Sequence, residues 1–226
     1  MKKQNVLKTV LIFILFYYSS LFQLIPISLF NIKRATPSIN VLLSAFSSCV
    51  MVIILFLIYR DDLKKEWKIF KKDPGEIMNT TFGYWFIGLV IMIVSNTLII
   101  YLTGSKGAQN EQLVQSMITA MPLVMLLNAG FFAPFNEEII FRKSLRKVFD
   151  NKWVYVLLSG FIFGALHVIG SGKDLVDWLF IVPYASLGCA FALSYYETKT
   201  IFSTIFMHMI HNTVLVGLSI VLKFLI

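Results

Sequence analysis

The chain has 226 residues, 58% of them hydrophobic and 14% charged, with a formal net charge of +8. A soluble globular domain of this size carries about 25% charged residues, so the composition excludes that class and points to one polytopic integral membrane domain. The 20 Lys and Arg residues stand in short clusters beside apolar runs, which is a topology signal and not the basic face of a nucleic-acid binder.

A hydrocarbon core about 30 Å thick takes about 20 residues at helical rise. Segments 9–30, 39–59, 77–102, 113–135, 153–169, 176–196 and 200–222 meet or approach that length. The expected fold is therefore all-α with about seven transmembrane helices. Residues 1–112 supply spans without motifs, and 113–222 hold the residues that carry chemistry. The first run lacks a small-residue cleavage site and is expected to stay as helix one. Cys49 and Cys189 lie inside apolar runs as small buried residues, with no disulfide framework or CxxC motif. Trp67, Trp85, Trp153 and Trp178 fall near expected interfaces, as an aromatic belt would.

The expected loops place Lys2 and Lys3, the 60–76 stretch (Arg60, Lys64, Lys65, Lys68, Lys71, Lys72), the 142–152 stretch (Arg142, Lys143, Arg146, Lys147, Lys152) and Lys199 on one side. The other side holds Lys33, Arg34, Lys106, Lys173 and Lys223. The positive-inside rule then puts the N-terminus in the cytoplasm and the C-terminus, Ile226, outside.

An ionisable group inside a span costs several kcal/mol unless it is partnered, so it marks a functional position by default. Glu137, Glu138 and Arg142 stand at the end of the fourth segment, His167 in the fifth, and His208, His211 and Asn212 in the seventh. Counting helical rise from the nearest basic turn puts Glu137, His167, His208 and Asn212 all roughly 15–22 Å below one surface. Glu138 and Arg142 are i, i+4 and can pair; His208 and Asn212 share the same spacing. His211 is i+3 from His208, and spacing alone leaves its part open. Gly130 and Pro134 are expected to permit a break just before the glutamates. A buried carboxylate can take a proton from water, a histidine can hold that water, and a His–Asn pair can donate to an oxyanion. The Glu/His/His set could equally hold a divalent metal such as zinc.

"EEIIFR" (Glu137, Glu138, Arg142), the run from Phe163 to His167, and "HMIHN" (His208, Asn212) resemble EExxxR, FxxxH and HxxxN. Together they resemble the CAAX protease and bacteriocin-processing intramembrane peptidases, the Abi or Rce1-like family, over about residues 115–215. The resemblance implies an endopeptidase acting on a peptide or membrane-protein substrate. In it Glu137 and His167 activate water, His208 and Asn212 form the oxyanion hole, and Glu138 with Arg142 supports them. The family has been described both as metal-dependent and as a metal-free glutamate protease, and the latter is favoured here. Bacterial members are associated with bacteriocin self-immunity and peptide signal maturation. The Lys/Ile/Asn/Phe-rich composition suggests a bacterial plasma membrane, where prenylated substrates are not expected. Two other classes remain: a non-proteolytic immunity or scaffold protein, and a transporter using the same ionisable groups. Paired half-repeats with broken helices, which a transporter would show, are absent from the sequence.

Overall fold

The computed structural model describes residues 2–169, 172 and 174–225. Every regular element among them is helical, as expected. In chain order they are α1 (Lys2–Tyr17), a tight turn of helix at Ser19–Gln23, α2 (Leu24–Leu29), α3 (Pro37–Phe70), α4 (Pro74–Thr103) and α5 (Gln109–Ala120). There follow α6 (Pro122–Ser144), α7 (Lys152–Val168), α8 (Leu175–Leu179), α9 (Ile181–Thr198) and α10 (Ile201–Leu225).

Among the described residues five spans are long and apolar enough to cross a membrane: α3, α4, α6, α8 with α9, and α10. A sixth exists if α1 and Ser19–Leu29, bent by 50°, count as one; α7 is apolar but has 17 residues. The described residues thus hold five or six such spans, against about seven expected from the sequence.

Two expected boundaries are corrected. The fourth segment, 113–135, is divided between α5 and α6, and the span proper is Pro122–Ser144. The cause is Met121, held extended at φ −153°, ψ 80° ahead of Pro122. Proline disfavours helical geometry in the residue before it and suits the first position of a new helix. Glu137 and Glu138 therefore lie within this span and not beyond its end. The 60–76 stretch is also no loop, because α3 runs on to Phe70. No Gly or Pro interrupts it before Pro74, where Asp73 accepts from the backbone N–H of Glu76 at 3.0 Å and starts α4.

One end of the bundle gathers the basic clusters. Lys2 meets Asp150 at 2.7 Å and Lys152 meets Glu197 at 2.5 Å. Lys147 pairs with Asp62, and Lys143 with Glu66. Lys143 is fully buried, so it is a structural ion-pair partner and not a free surface charge for a topology count. Lys223, at the other end, reaches Thr119 of α5. Lys173 and Ile226, used in the sidedness argument, lie outside the described residues.

Glu66 does more than pair. Its Oε1 also accepts from the Tyr195 hydroxyl at 2.9 Å, and its Oε2 from the backbone N–H of Ile201 at 2.8 Å. A carboxylate from α3 thereby caps α10 and binds α6 and α9 at the same point. Anions are favoured at helix N-termini, where N–H groups lack partners.

Close packing sets the distance between α7 and α9. A Cβ on Gly160 would lie 2.3 Å from Cys189 Sγ, and one on Gly188 would lie 2.8 Å from Gly160 Cα. Small residues at such crossings let membrane helices approach where no hydrophobic drive separates protein from lipid.

Candidate active site

α6 is widened twice, over Asn128–Phe132 and Glu138–Ser144, into π turns. The break expected at Gly130 and Pro134 is thus a widening within a continuous span. A π turn inserts a residue and frees carbonyls from the regular ladder. Inside a membrane those carbonyls need partners. The chain provides them from side chains. Ser144 Oγ donates to Ile139 O at 3.0 Å, Ser159 Oγ to Phe141 O at 2.7 Å, and Thr9 Oγ1 to Ser144 O at 3.2 Å. Asn212 Nδ2 donates to Ala129 O at 2.9 Å. Gly130 allows that last approach, since a Cβ there would lie 2.6 Å from Thr213 Oγ1.

The second π turn presents Glu138 to α10 in full burial. Its Oε1 lies 2.9 Å from His208 Nδ1, and its Oε2 lies 3.3 Å from Arg142 Nε. The Arg142 guanidinium sits 4.3 Å over the Phe163 ring and 5.6 Å from that of Phe191, and its Nη2 reaches Gly188 O at 3.5 Å. A carboxylate paired with a buried guanidinium is an acceptor, so His208 Nδ1 is assigned as the donor. When the ring carries one proton, Nε2 is then its acceptor nitrogen. Nε2 lies 3.8 Å from Glu137 Oε2, and the Glu137 side chain keeps 17% exposure. Such a gap suits one water held by both groups.

His167 is half-buried, and its Nδ1 lies 2.8 Å from Phe163 O. A carbonyl can only accept, so this ring too has Nδ1 as donor. Its ring lies 4.4 Å from Phe163 and is stacked 4.6 Å from Tyr184 at 26°. His208 in turn stacks 5.1 Å from Phe191 at 24° and meets Phe163 edge-on at 6.1 Å. His211 is buried elsewhere, with Nδ1 accepting from Trp85 Nε1 of α4 at 3.4 Å.

The structure therefore brings Glu138, Arg142 and His208 into direct contact, sets Glu137 3.8 Å from His208, and joins His167 to them through Phe163. Asn212 is engaged on the first π turn. Sequence reasoning missed Glu66, Tyr184 and Phe191. Tyr184, Gly188 and Phe191 fall at i, i+4 and i+7 and so share one face of α9. That spacing was the available signal, and it is easily taken for ordinary span packing. The Nε2 atoms of the two rings would, when unprotonated, also suit zinc by their chemistry. Among the described residues, however, no group of three His, Cys, Asp or Glu side chains is placed to hold a metal ion.

These features define an all-helical polytopic membrane protein with a buried carboxylate–histidine centre. Residues 119–214 match the family model described as Type II CAAX prenyl endopeptidase Rce1-like. The stretch carrying the three motifs thus matches the Rce1-like family model, and the resemblance read from those motifs is borne out. The chain is also 29% identical over 177 residues to "Putative membrane peptidase YdiL" of Bacillus subtilis, covering 76% of this chain and 68% of that one. It is 27% identical over 172 residues to an uncharacterized protein of Mycoplasma capricolum, covering 71% of this chain and 49% of that one. No solved structure matches the chain. The family and the Bacillus relative support a membrane protein with peptidase activity.

Proposed function

We propose that the chain is an intramembrane endopeptidase that hydrolyses a peptide bond with water held between Glu137 and the histidines. The observation that carries this reading is the placement of His208, with Nδ1 on Glu138 at 2.9 Å and Nε2 facing Glu137 at 3.8 Å. Glu137 takes the proton of the attacking water and returns it to the leaving amine. His167 orients the same water through Nε2. His208 takes up a proton on Nε2 from solvent before the attack and keeps it through the step, so its Nε2–H donates to the oxyanion while Glu138 keeps the ring in place. Asn212 has two N–H donors and spends one on Ala129, so the second is available to the oxyanion. The substrate is a peptide or membrane protein processed in a bacterial plasma membrane, in signal maturation or bacteriocin self-immunity. The basic end of the bundle faces the cytoplasm, as the positive-inside rule requires.

The test uses purified protein and a mixed-sequence fluorogenic peptide library. Glu137→Gln keeps size and polarity yet cannot act as base, and turnover should fall by about 10²–10⁴. Asn212→Ala should cost roughly 10²–10³. Glu137→Gln should accumulate like the unchanged protein. Full turnover in Glu137→Gln would reject the peptidase reading. If chelation abolishes turnover and zinc restores it, the metal-free form of the reading fails and the metal-dependent form replaces it. A reporter placed after Lys72 should read cytoplasmic; an external reading would overturn the sidedness.

A further inference from the structure

We propose that α9, which carries none of the three motifs, supplies two positioning residues, Tyr184 and Phe191, each stacked on one of the two candidate histidines. The inference rests on the peptidase reading and deepens it.

The geometry is paired. His167 lies between Phe163 at 4.4 Å and Tyr184 at 4.6 Å, and His208 lies between Phe163 at 6.1 Å and Phe191 at 5.1 Å. Both α9 rings are close to parallel with their imidazoles, at 26° and 24°. Each imidazole is already tied through Nδ1, to Phe163 O or to Glu138. A hydrogen bond at Nδ1 fixes one atom of the ring and leaves the tilt of its plane to its neighbours. A stacked face sets that tilt and determines where Nε2 points.

The platforms are themselves held. Tyr184 Oη accepts from Asn110 Nδ2 at 3.4 Å, which links it to α5. Phe191 is 1% exposed and also backs Arg142 at 5.6 Å. Between them Gly188 brings α9 against α7 and offers its carbonyl to Arg142. The face Tyr184–Gly188–Phe191 therefore sets both rings and the guanidinium at once. Aromatic pairs of this kind contribute about 0.5–1.5 kcal/mol beyond area burial, while a misplacement of about 1 Å at a reacting group can cost about 10² in rate. Their value to the site is thus orientation.

The chain has three histidines, so ¹³C/¹⁵N-histidine labelling in detergent gives few signals, assignable with His167→Gln and His208→Gln. Ring currents shift protons held over an aromatic face upfield. In Tyr184→Leu the His167 ring protons should lose that shift and those of His208 should keep it; in Phe191→Leu the reverse should hold. On a peptide cleaved by the unchanged protein, both variants should lower kcat by about 10–100-fold with KM little changed. Tyr184→Phe, which keeps the ring, should recover most of the loss in Tyr184→Leu. Phe191→Met repeats the test should Phe191→Leu unfold. Histidine signals that do not move when the rings are removed would overturn the stacking. Signals that move without a fall in kcat would overturn the positioning role. Neither arm depends on Glu137→Gln, whose full activity would sink the peptidase reading while the ring-current arm still reads the geometry.

Discussion

Glu138 and His208 meet at 2.9 Å across 70 residues of sequence, with the carboxylate fully buried and Arg142 on its other oxygen at 3.3 Å. One side chain thus joins the second π turn of α6 to α10 and selects the tautomer of the histidine. Glu138→Gln keeps the shape and removes the charge. Turnover should fall by about 10–100-fold through His208. Because Arg142 is left uncompensated, thermal stability should fall as well, unlike in Glu137→Gln. Equal stability of the two variants would contradict the assignment.

Arg142→Ala leaves Glu138 as a buried charge without its cation. Breaking a buried pair costs about 3–5 kcal/mol, so abundance and melting temperature should both drop. Arg142→Lys should not rescue, because an ammonium cannot span Glu138, Gly188 and two phenyl faces as a planar guanidinium does. Rescue by lysine would reduce the role of Arg142 to its charge.

The Glu66 junction makes a separate prediction. Glu66→Leu strands Lys143, which is fully buried, and uncaps α10. Single removal of either partner should cost about 3–5 kcal/mol, and joint replacement by Glu66→Leu with Lys143→Met clearly less than the sum. Urea or thermal unfolding of the four proteins in one detergent decides it, and additive losses would dissolve the pair.

Glycine packing is testable with methyl-sized probes. Gly160→Ala puts a Cβ 2.3 Å from Cys189 Sγ and 2.9 Å from Ala185 O, so α7 and α9 must part. Overpacking costs about 1–3 kcal/mol, and activity should fall with it because Phe163 and Phe191 separate. Gly217→Ala meets nothing within 4 Å and serves as the control. Comparable melting temperatures for the two would refute the close crossing.

The charged centre was legible in the sequence because charge inside an apolar run is costly and i, i+4 spacing is diagnostic. Glu138 with Arg142 was read that way, and the convergence of the fourth, fifth and seventh segments followed from helical rise. The split at Met121–Pro122 was readable from the proline but was hidden by hydropathy, which measures where lipid could be and not where a helix turns. The same blindness made a loop of residues 60–76. Glu66 could not be recovered, because its role depends on Ile201, 135 residues away. Tyr184 and Phe191 look like any aromatic in a greasy span until their partners are known.

The widened turns of α6 have a consequence for insertions and deletions. Each turn holds one residue beyond the regular pitch, so the helix is out of phase with itself on either side of Glu138–Ser144. Deleting one residue there would restore the pitch and swing everything beyond it by about 100° relative to Glu138. Lys143 would turn from Glu66 while Glu138 still faced His208. What lets this helix address α3 and α10 together is a count of residues, and a chain can keep every charged side chain of the site and still lose it by one step of phase.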